Sequence, residues 1–119
     1  MAKRVLLVDD AKTSRMIVGK VVKELGHEIV GEAENGELGF EAYMELKPDL
    51  VLSDIEMPVL GGYEMVEKII LADPDANIVM VTSVVNAQII QKIIAIGAVD
   101  AVKKPINEAK LAKIFEQLD

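Results

Sequence analysis

The sequence predicts an α/β domain in which five β-strands alternate with five α-helices to form one parallel sheet. Two observations favour this fold class. Short apolar runs, typical of strands that are buried on both faces, alternate with longer segments of helical periodicity. Glycine, proline and asparagine stand at the borders between the two kinds of segment. Right-handed crossovers between successive strands then require a parallel sheet with helices on both faces.

The predicted strands are short apolar runs, most of which end at polar residues. They cover residues 4–8, 27–33, 50–52, 78–81 and 98–102. The run at residues 98–102 is the weakest of the five.

The predicted helices have recognisable starts and stops. The first begins at Thr13 or Ser14 and ends before Gly26, because a glycine just past a helix adopts the left-handed conformation easily. The others cover residues 37–47, 62–73, 86–96 and 108–118. Asn35 and Asn107 are the predicted N-caps of the second and fifth helices. Pro48 and Gly97 are predicted to stop the second and fourth.

Composition excludes several classes of protein. The 119 residues, 51% of them hydrophobic, suit one domain covering residues 1–119. A net charge of −7 argues against nucleic-acid and anionic-membrane partners. The absence of cysteine excludes disulfides, thiol catalysis and cysteine-type zinc sites. No apolar run approaches the roughly 18–20 residues of a membrane span, so we expect a soluble, cytoplasmic protein.

Polar residues at the strand ends predict the functional site. Asp9 and Asp10 follow the first strand, Asp54 the third, Thr82 the fourth and Lys104 the fifth. In an open parallel sheet, ligands bind outside the carboxyl ends of the strands, where the strand order reverses. We therefore expect these side chains to converge on one patch.

The types of residue at this patch favour phosphoryl chemistry. Three carboxylates in one crevice repel one another unless a cation joins them, and Mg²⁺ prefers oxygen ligands of this kind. A carboxylate beside Mg²⁺ can attack phosphorus and form an aspartyl phosphate. The charge that develops on the phosphoryl oxygens needs positive and hydrogen-bonding partners, which Lys104 and the Thr82 hydroxyl can supply.

Five motifs resemble the receiver domain of two-component response regulators. They are Val-Asp-Asp (8–10), Ser-Asp-Ile-Glu-Met-Pro (53–58), Gly-Gly-Tyr-Glu (61–64), Thr-Ser (82–83) and Lys-Pro (104–105). The resemblance covers essentially the whole chain and is greatest to the stand-alone, CheY-like chemotaxis regulators. It implies a three-layer flavodoxin-like fold with strand order 2-1-3-4-5.

The resemblance also implies a role for each site residue. Asp54 would accept a phosphoryl group from the phosphohistidine of a sensor histidine kinase or phosphotransfer protein. Asp10, Asp54 and the backbone carbonyl of Glu56 would bind Mg²⁺ directly, and Asp9 through water. Lys104 would pair with the phosphoryl group, and the peptide bond between Lys104 and Pro105 would be cis. The Thr82 hydroxyl would turn toward the phosphoryl group.

Three positions depart from the usual pattern of the family. Ala101 stands where an aromatic residue is usual, which favours a backbone or helix-shift switch over a rotating ring. Glu56 and Val84 occupy positions that tune dephosphorylation in the family. The sequence does not determine their net effect on the lifetime of the phosphorylated state.

The fourth helix carries more apolar residues than one buried stripe requires. Ala87, Ile90 and Ile94 are expected to stay exposed beside Ala101, on the face of the fourth helix, fifth strand and fifth helix. In the family, this face binds a downstream protein or a second receiver. The sequence thus predicts a partner surface on a monomer, with dimerisation on phosphorylation as one outcome; overpacked core is the alternative interpretation.

Other functions stay open at this point. An intermediate receiver of a phosphorelay would carry the same residues. An aspartate-nucleophile phosphatase would want its nucleophile after the first strand and usually a cap domain. A flavodoxin-like electron carrier would need a phosphate-binding loop and stacking aromatics, and only 3% of the residues are aromatic. A degenerate receiver is disfavoured because the acceptor-site residues are all present. We therefore expect a signalling protein that catalyses only its own phosphorylation and dephosphorylation.

Overall fold

The computed structural model describes residues 2–118, which form one five-stranded parallel sheet in the order β2-β1-β3-β4-β5. The predicted fold class and strand order are therefore confirmed. The strands are β1 (Arg4–Val8), β2 (Glu28–Ala33), β3 (Leu50–Ser53), β4 (Ile78–Thr82) and β5 (Asp100–Lys103). β5 begins two residues later than predicted, because Ala98 and Val99 lead the chain into the sheet. Val99 already donates its backbone N–H to the carbonyl of Ile78 over 2.8 Å.

Helices connect the strands in strict alternation. They are α1 (Lys12–Glu24), α2 (Gly36–Leu46), α3 (Gly62–Ala72), α4 (Ala87–Ala95) and α5 (Glu108–Gln117). None of these helices of residues 2–118 is both long and apolar enough to cross a lipid bilayer.

Local capping explains where most helices begin and end. The side chains of Asn35, Asn86 and Asn107 each accept a backbone N–H of the first helical turn that follows, so the two predicted asparagine caps are confirmed. Gly26 and Gly97 end the first and fourth helices with φ values of 89° and 107°. The exceptions are α1 and α3, which begin at Lys12 and Gly62 without a side-chain cap at Ala11 and Gly61.

The sheet separates two hydrophobic cores because successive strand residues face opposite sides. Leu6 and Val8 of β1 belong to the core under α2, α3 and α4, whereas Val5 and Leu7 belong to the core under α1 and α5. All four residues are at most 2% exposed. Burial on both faces accounts for the continuous apolar runs in the sequence.

Candidate functional site

The three predicted aspartates meet at the carboxyl end of the sheet. Asp9 and Asp10 directly follow β1, and Asp54 directly follows β3. β1 and β3 are hydrogen-bonded neighbours in the sheet, and the strand order reverses between them. One carboxylate oxygen of each residue lies within 4.8 Å of those of the other two. Oxygen atoms from carboxylates at this spacing match the ligands that Mg²⁺ prefers, so the residues present fit a divalent cation.

The Asp9 side chain is buried and accepts several hydrogen bonds. It is 6% exposed. Its Oδ1 accepts the backbone N–H of Ala11 over 2.9 Å, and its Oδ2 accepts from the Lys104 ammonium over 3.0 Å. Although burial raises the pKa of Asp9, hydrogen bonds from Ser14, Ala11 and Lys104 outweigh it and hold the pKa below its ordinary value. Asp9 is therefore an ionised anchor, whereas the neighbouring Asp10 is exposed.

Asp54 lies in a less favourable environment for its charge. The side chain is 18% exposed, and its Oδ1 accepts the backbone N–H of Ile55 over 2.8 Å. Burial, together with the charges of Asp9 and Asp10, raises the pKa of Asp54 above its ordinary value, despite the lowering effect of Ile55 and Lys104. A carboxylate with a raised pKa is a more basic group once it is ionised, which suits a nucleophile.

Lys104 supplies the positive charge of the site. Its ammonium nitrogen is 3.0 Å from Oδ2 of Asp9 and 3.7 Å from Oδ2 of Asp54. A backbone hydrogen bond of 2.8 Å from the Lys104 N–H to the Thr82 carbonyl holds it at this end of the sheet. The peptide bond between Lys104 and Pro105 is cis. The ends of β4 and β5 thus bring the Lys104 ammonium to the aspartates that follow β1 and β3.

Thr82 ends β4 on the same side of the sheet. It is 8% exposed, and its hydroxyl oxygen accepts the backbone N–H of Val84 over a long 3.4 Å. The hydroxyl lines the same crevice as Asp54 and Lys104. A weakly engaged hydroxyl can turn to a new acceptor at low cost.

The crevice over Asp54 has a volume of about 690 Å³ and continues past the charged groups. Met57, Tyr63, Val84 and Ile89 line its outer part, and Glu56 stands exposed at its rim. The Lys92 ammonium of α4 lies 4.1 Å from the centre of the Tyr63 ring of α3, a cation–π contact across the crevice wall.

Gly62 allows the third helix to start against the site. A β-carbon built on Gly62 would collide with the backbone carbonyl oxygen of Asp54. Its N–H donates to the Ile55 carbonyl over 2.7 Å. The first residue of α3 thus contacts the backbone of Asp54 directly.

The predicted exposed flank of α4 is only partly present. Ala87 is exposed and Ile94 is 56% exposed, whereas Ile90 is half-buried against the core. The prediction that Ala101 lies on this flank is wrong, because Ala101 is 0% exposed and belongs to the core under α4. It shares that core with Ile93 of α4, and Ile89 and Ile90 pack against the same core.

Sequence reasoning missed the contacts of Arg15 with the site. Its Nη1 donates to the backbone carbonyl of Asp9 over 2.5 Å, and its Nε donates to Oε1 of Glu32 over 3.0 Å. The only available signal was a basic residue one turn into the helix that follows the acidic pair, which also fits an ordinary exposed arginine.

Comparisons with known proteins agree on one family. The model of the response regulator receiver domain family matches residues 5–116. Chemotaxis protein CheY of Thermotoga maritima is 36% identical over 118 residues, covering 99% of this chain and 98% of that protein. Chemotaxis protein CheY of Bacillus subtilis is 39% identical over 117 residues, covering 98% of both.

A solved structure gives the same result for the fold. The crystal structure of the CheX-CheY-BeF3-Mg+2 complex from Borrelia burgdorferi contains a similar chain with a TM-score of 0.91 and 25% identity. The match covers 97% of this chain and 87% of that one.

Proposed function

The chain belongs to the family of response regulator receiver domains, close to the CheY chemotaxis regulators, and from this premise we propose that Asp54 is its phosphoryl acceptor. The donor is the phosphohistidine of a histidine kinase or of a phosphotransfer protein. The observation that carries the proposal is the position of the Asp54 carboxylate, within 4.8 Å of two other carboxylates and 3.7 Å from the Lys104 ammonium. This combination offers a nucleophile, a cation site and a positive partner at one point.

The phosphoryl transfer occurs in a single displacement at phosphorus. An oxygen of the Asp54 carboxylate forms a bond to phosphorus, the P–N bond to the donor imidazole breaks, and its electron pair goes to the imidazole nitrogen. The backbone N–H of Ile55 holds one carboxylate oxygen, which restricts rotation of the group before attack. Water later attacks the phosphorus and restores the Asp54 carboxylate with release of inorganic phosphate.

Magnesium fits the acidic cluster as the cofactor. We assign Asp10, Asp54 and the backbone carbonyl of Glu56 as direct ligands and Asp9 as a ligand through water. When bound, Mg²⁺ neutralises the negative charge that accumulates between the aspartates and the phosphoryl oxygens. Asp9 is already committed to Ala11 and Lys104, whereas Asp10 is exposed, which supports this division of roles.

Lys104 and Thr82 respond to the new charge. The Lys104 ammonium leaves Asp9 to pair with a phosphoryl oxygen, and the Thr82 hydroxyl exchanges its long bond with Val84 for a shorter one to another phosphoryl oxygen. Because Val84 begins the segment that leads into α4, this exchange pulls on the N-terminus of that helix. The switch then acts through the position of α4, since Ala101 cannot serve as a rotating ring.

The output surface is the exposed part of the flank of α4, now limited to Ala87, Ile94 and the accessible side of Ile90. Hydrogen exchange tests the switch without a known partner. Beryllofluoride with Mg²⁺ should change the exchange rates of residues 83–95 in the wild type and leave them unchanged in Asp54→Asn. Unchanged rates in both proteins would argue against a helix-shift switch.

Phosphorylation with acetyl phosphate tests the acceptor. With Mg²⁺, intact-mass analysis should show one added phosphoryl group in the wild type and none in Asp54→Asn. Asp75→Asn, which removes one exposed charge remote from the cluster, is the matched control and should be phosphorylated like the wild type. Phosphorylation of Asp54→Asn would refute the assignment, and steady hydrolysis of varied phosphate esters would favour a phosphatase.

A further inference from the structure

We propose that Arg15 is a positioning residue for the acidic site, and that Glu32 acts through it. Arg15 would hold the peptide group between Asp9 and Asp10 and thereby set the direction of the Asp10 carboxylate. This inference rests on the proposed function, because it concerns the affinity of the same site for Mg²⁺.

The contacts of Arg15 form a bridge between two strand ends. Nη1 donates to the carbonyl of Asp9 over 2.5 Å, and Nε donates to the carboxylate of Glu32 over 3.0 Å. The Arg15 side chain is only 15% exposed. Because a guanidinium is planar and rigid, two bonds from different nitrogens determine the orientation of the whole group.

The peptide group that Arg15 holds is the one that joins the two acidic residues. The carbonyl of Asp9 is part of the planar unit that ends at the α-carbon of Asp10. Rotation of this unit would move the Asp10 side chain relative to Asp9 and Asp54. Asp10 is exposed, so little around it opposes such a rotation.

The connection between β1 and α1 needs such support because its helix end is weakly tied. The N-cap residue of α1, Ala11, has no side-chain oxygen, and the first turn contains no acidic residue. The loop is held instead by the Asp9 carboxylate, which accepts from the Ala11 N–H and from the Ser14 side chain, and by Arg15 on the Asp9 carbonyl. The guanidinium thus fixes the chain just before the helix, although as a donor it cannot cap the N–H groups of the first turn.

Glu32 ties the bridge to the sheet through its backbone, while its side chain is 51% exposed. It pairs with Leu7 in the register between β1 and β2, and the next residue, Ala33, accepts the backbone N–H of Asp9 over 3.0 Å. The end of β2 therefore holds Asp9 twice, directly through Ala33 and indirectly through Glu32 and Arg15. Removal of the Glu32 carboxylate should loosen the guanidinium but leave the backbone contact.

A purely electrostatic role makes the opposite prediction for Arg15. Removal of a positive charge beside three carboxylates should strengthen the binding of Mg²⁺ if only charge matters. Loss of a positioning contact should weaken it, and partners of this kind typically contribute about tenfold or more to metal affinity. The sign of the change therefore separates the two explanations.

Calorimetric titration of the full chain with Mg²⁺ alone tests the proposal. We expect Arg15→Ala and Arg15→Lys to raise the Kd for Mg²⁺ by about tenfold, since lysine cannot form the two-nitrogen bridge. Lys20→Ala, which removes an exposed cation from the same helix, should leave the Kd unchanged or lower it slightly. Circular dichroism and a thermal melt of each variant ensure that the folded protein is titrated.

A double-mutant cycle tests the role of Glu32. Glu32→Ala should weaken Mg²⁺ binding in the wild-type background and have no further effect in the Arg15→Ala background. Equal effects in both backgrounds would assign Glu32 a direct role, and an unchanged or lower Kd in both Arg15 variants would overturn the proposal for Arg15. If the wild type itself fails to bind Mg²⁺, the proposed function fails instead.

Discussion

Lys104 is bound to Asp9 more closely than to Asp54, the residue that we assign as acceptor. Its ammonium nitrogen is 3.0 Å from Oδ2 of Asp9 but 3.7 Å from Oδ2 of Asp54. In the function that we propose, the Lys104 ammonium thus starts on Asp9, beside the carboxylate that would accept the phosphoryl group. In this position the ammonium competes with a divalent cation for the carboxylates of Asp9 and Asp54. In the proposed function it later pairs with the phosphoryl group.

Lys104→Ala should therefore change two properties in opposite directions. Mg²⁺ should bind several-fold more tightly, because one competing positive charge is lost. Phosphorylation by acetyl phosphate at saturating Mg²⁺ should slow by about 10²-fold or more, since the charge on the transferred group loses its partner. Calorimetry and a mass-based time course measure the two effects. Lys103→Ala is the control on the adjacent exposed lysine, and equal behaviour of the two variants would contradict the assignment.

Asp54→Asn should stabilise the protein at neutral pH when Mg²⁺ is absent. Burial and the neighbouring aspartates raise the pKa of Asp54 in the folded state. An acid with a raised pKa stabilises the fold only while it is protonated, and that contribution is lost as the pH rises through the folded pKa. The variant should gain in free energy of unfolding at pH 7, and the gain should shrink toward pH 4. Urea titrations at both pH values check this; a gain independent of pH would disagree.

Val59→Asn should also stabilise the protein. Val59 has a φ of 70° and is 75% exposed, so a β-branched residue occupies the left-handed region without the benefit of burial. Asparagine tolerates this region much better, and the relief is about 1 kcal/mol. Urea denaturation measures the gain. Val84→Asn, an exposed valine at which no positive φ occurs, is the control and should show no comparable gain.

Tyr43→Phe should lower the melting temperature by about 3–6 °C at pH 7. The buried Tyr43 hydroxyl donates to Oδ2 of Asp73 over 2.6 Å and so joins α2 to the end of α3. This bond holds the pKa of Asp73 below its ordinary value, so its contribution is present above the usual aspartate pKa and is lost as the pH falls through the lowered one. The deficit of the variant should therefore shrink in acid. Tyr63→Phe, which keeps its ring against Lys92, should melt like the wild type.

The positions of the site residues could be predicted because they depend on topology alone. Asp9, Asp10, Asp54 and Lys104 each follow a short strand, and the carboxyl ends of parallel strands share one edge. The helix caps Asn35 and Asn107 were equally accessible, since capping depends on a few neighbouring residues.

Features that depend on three-dimensional packing could not be predicted. The apolar periodicity of α4 does not say how far that helix covers the edge strand β5, so Ala101 was placed on the exposed flank and is fully buried. The closer contact of Lys104 with Asp9 depends on side-chain rotamers. The hydrogen bond from Arg15 to Glu32 depends on rotamers as well and on the end of β2, which is distant in sequence. The start of β5 depends on hydrogen bonds across the sheet.

The contact of Gly62 with the backbone of Asp54 limits how this chain can diverge. Because the obstacle to a β-carbon is a main-chain oxygen, no exchange of surrounding side chains would relieve it. Met57, Tyr63 and Val84 line the same crevice and already carry side chains, so this steric limit does not apply to them. Descendants of this sequence should therefore retain glycine at position 62 while they acquire new specificities around it.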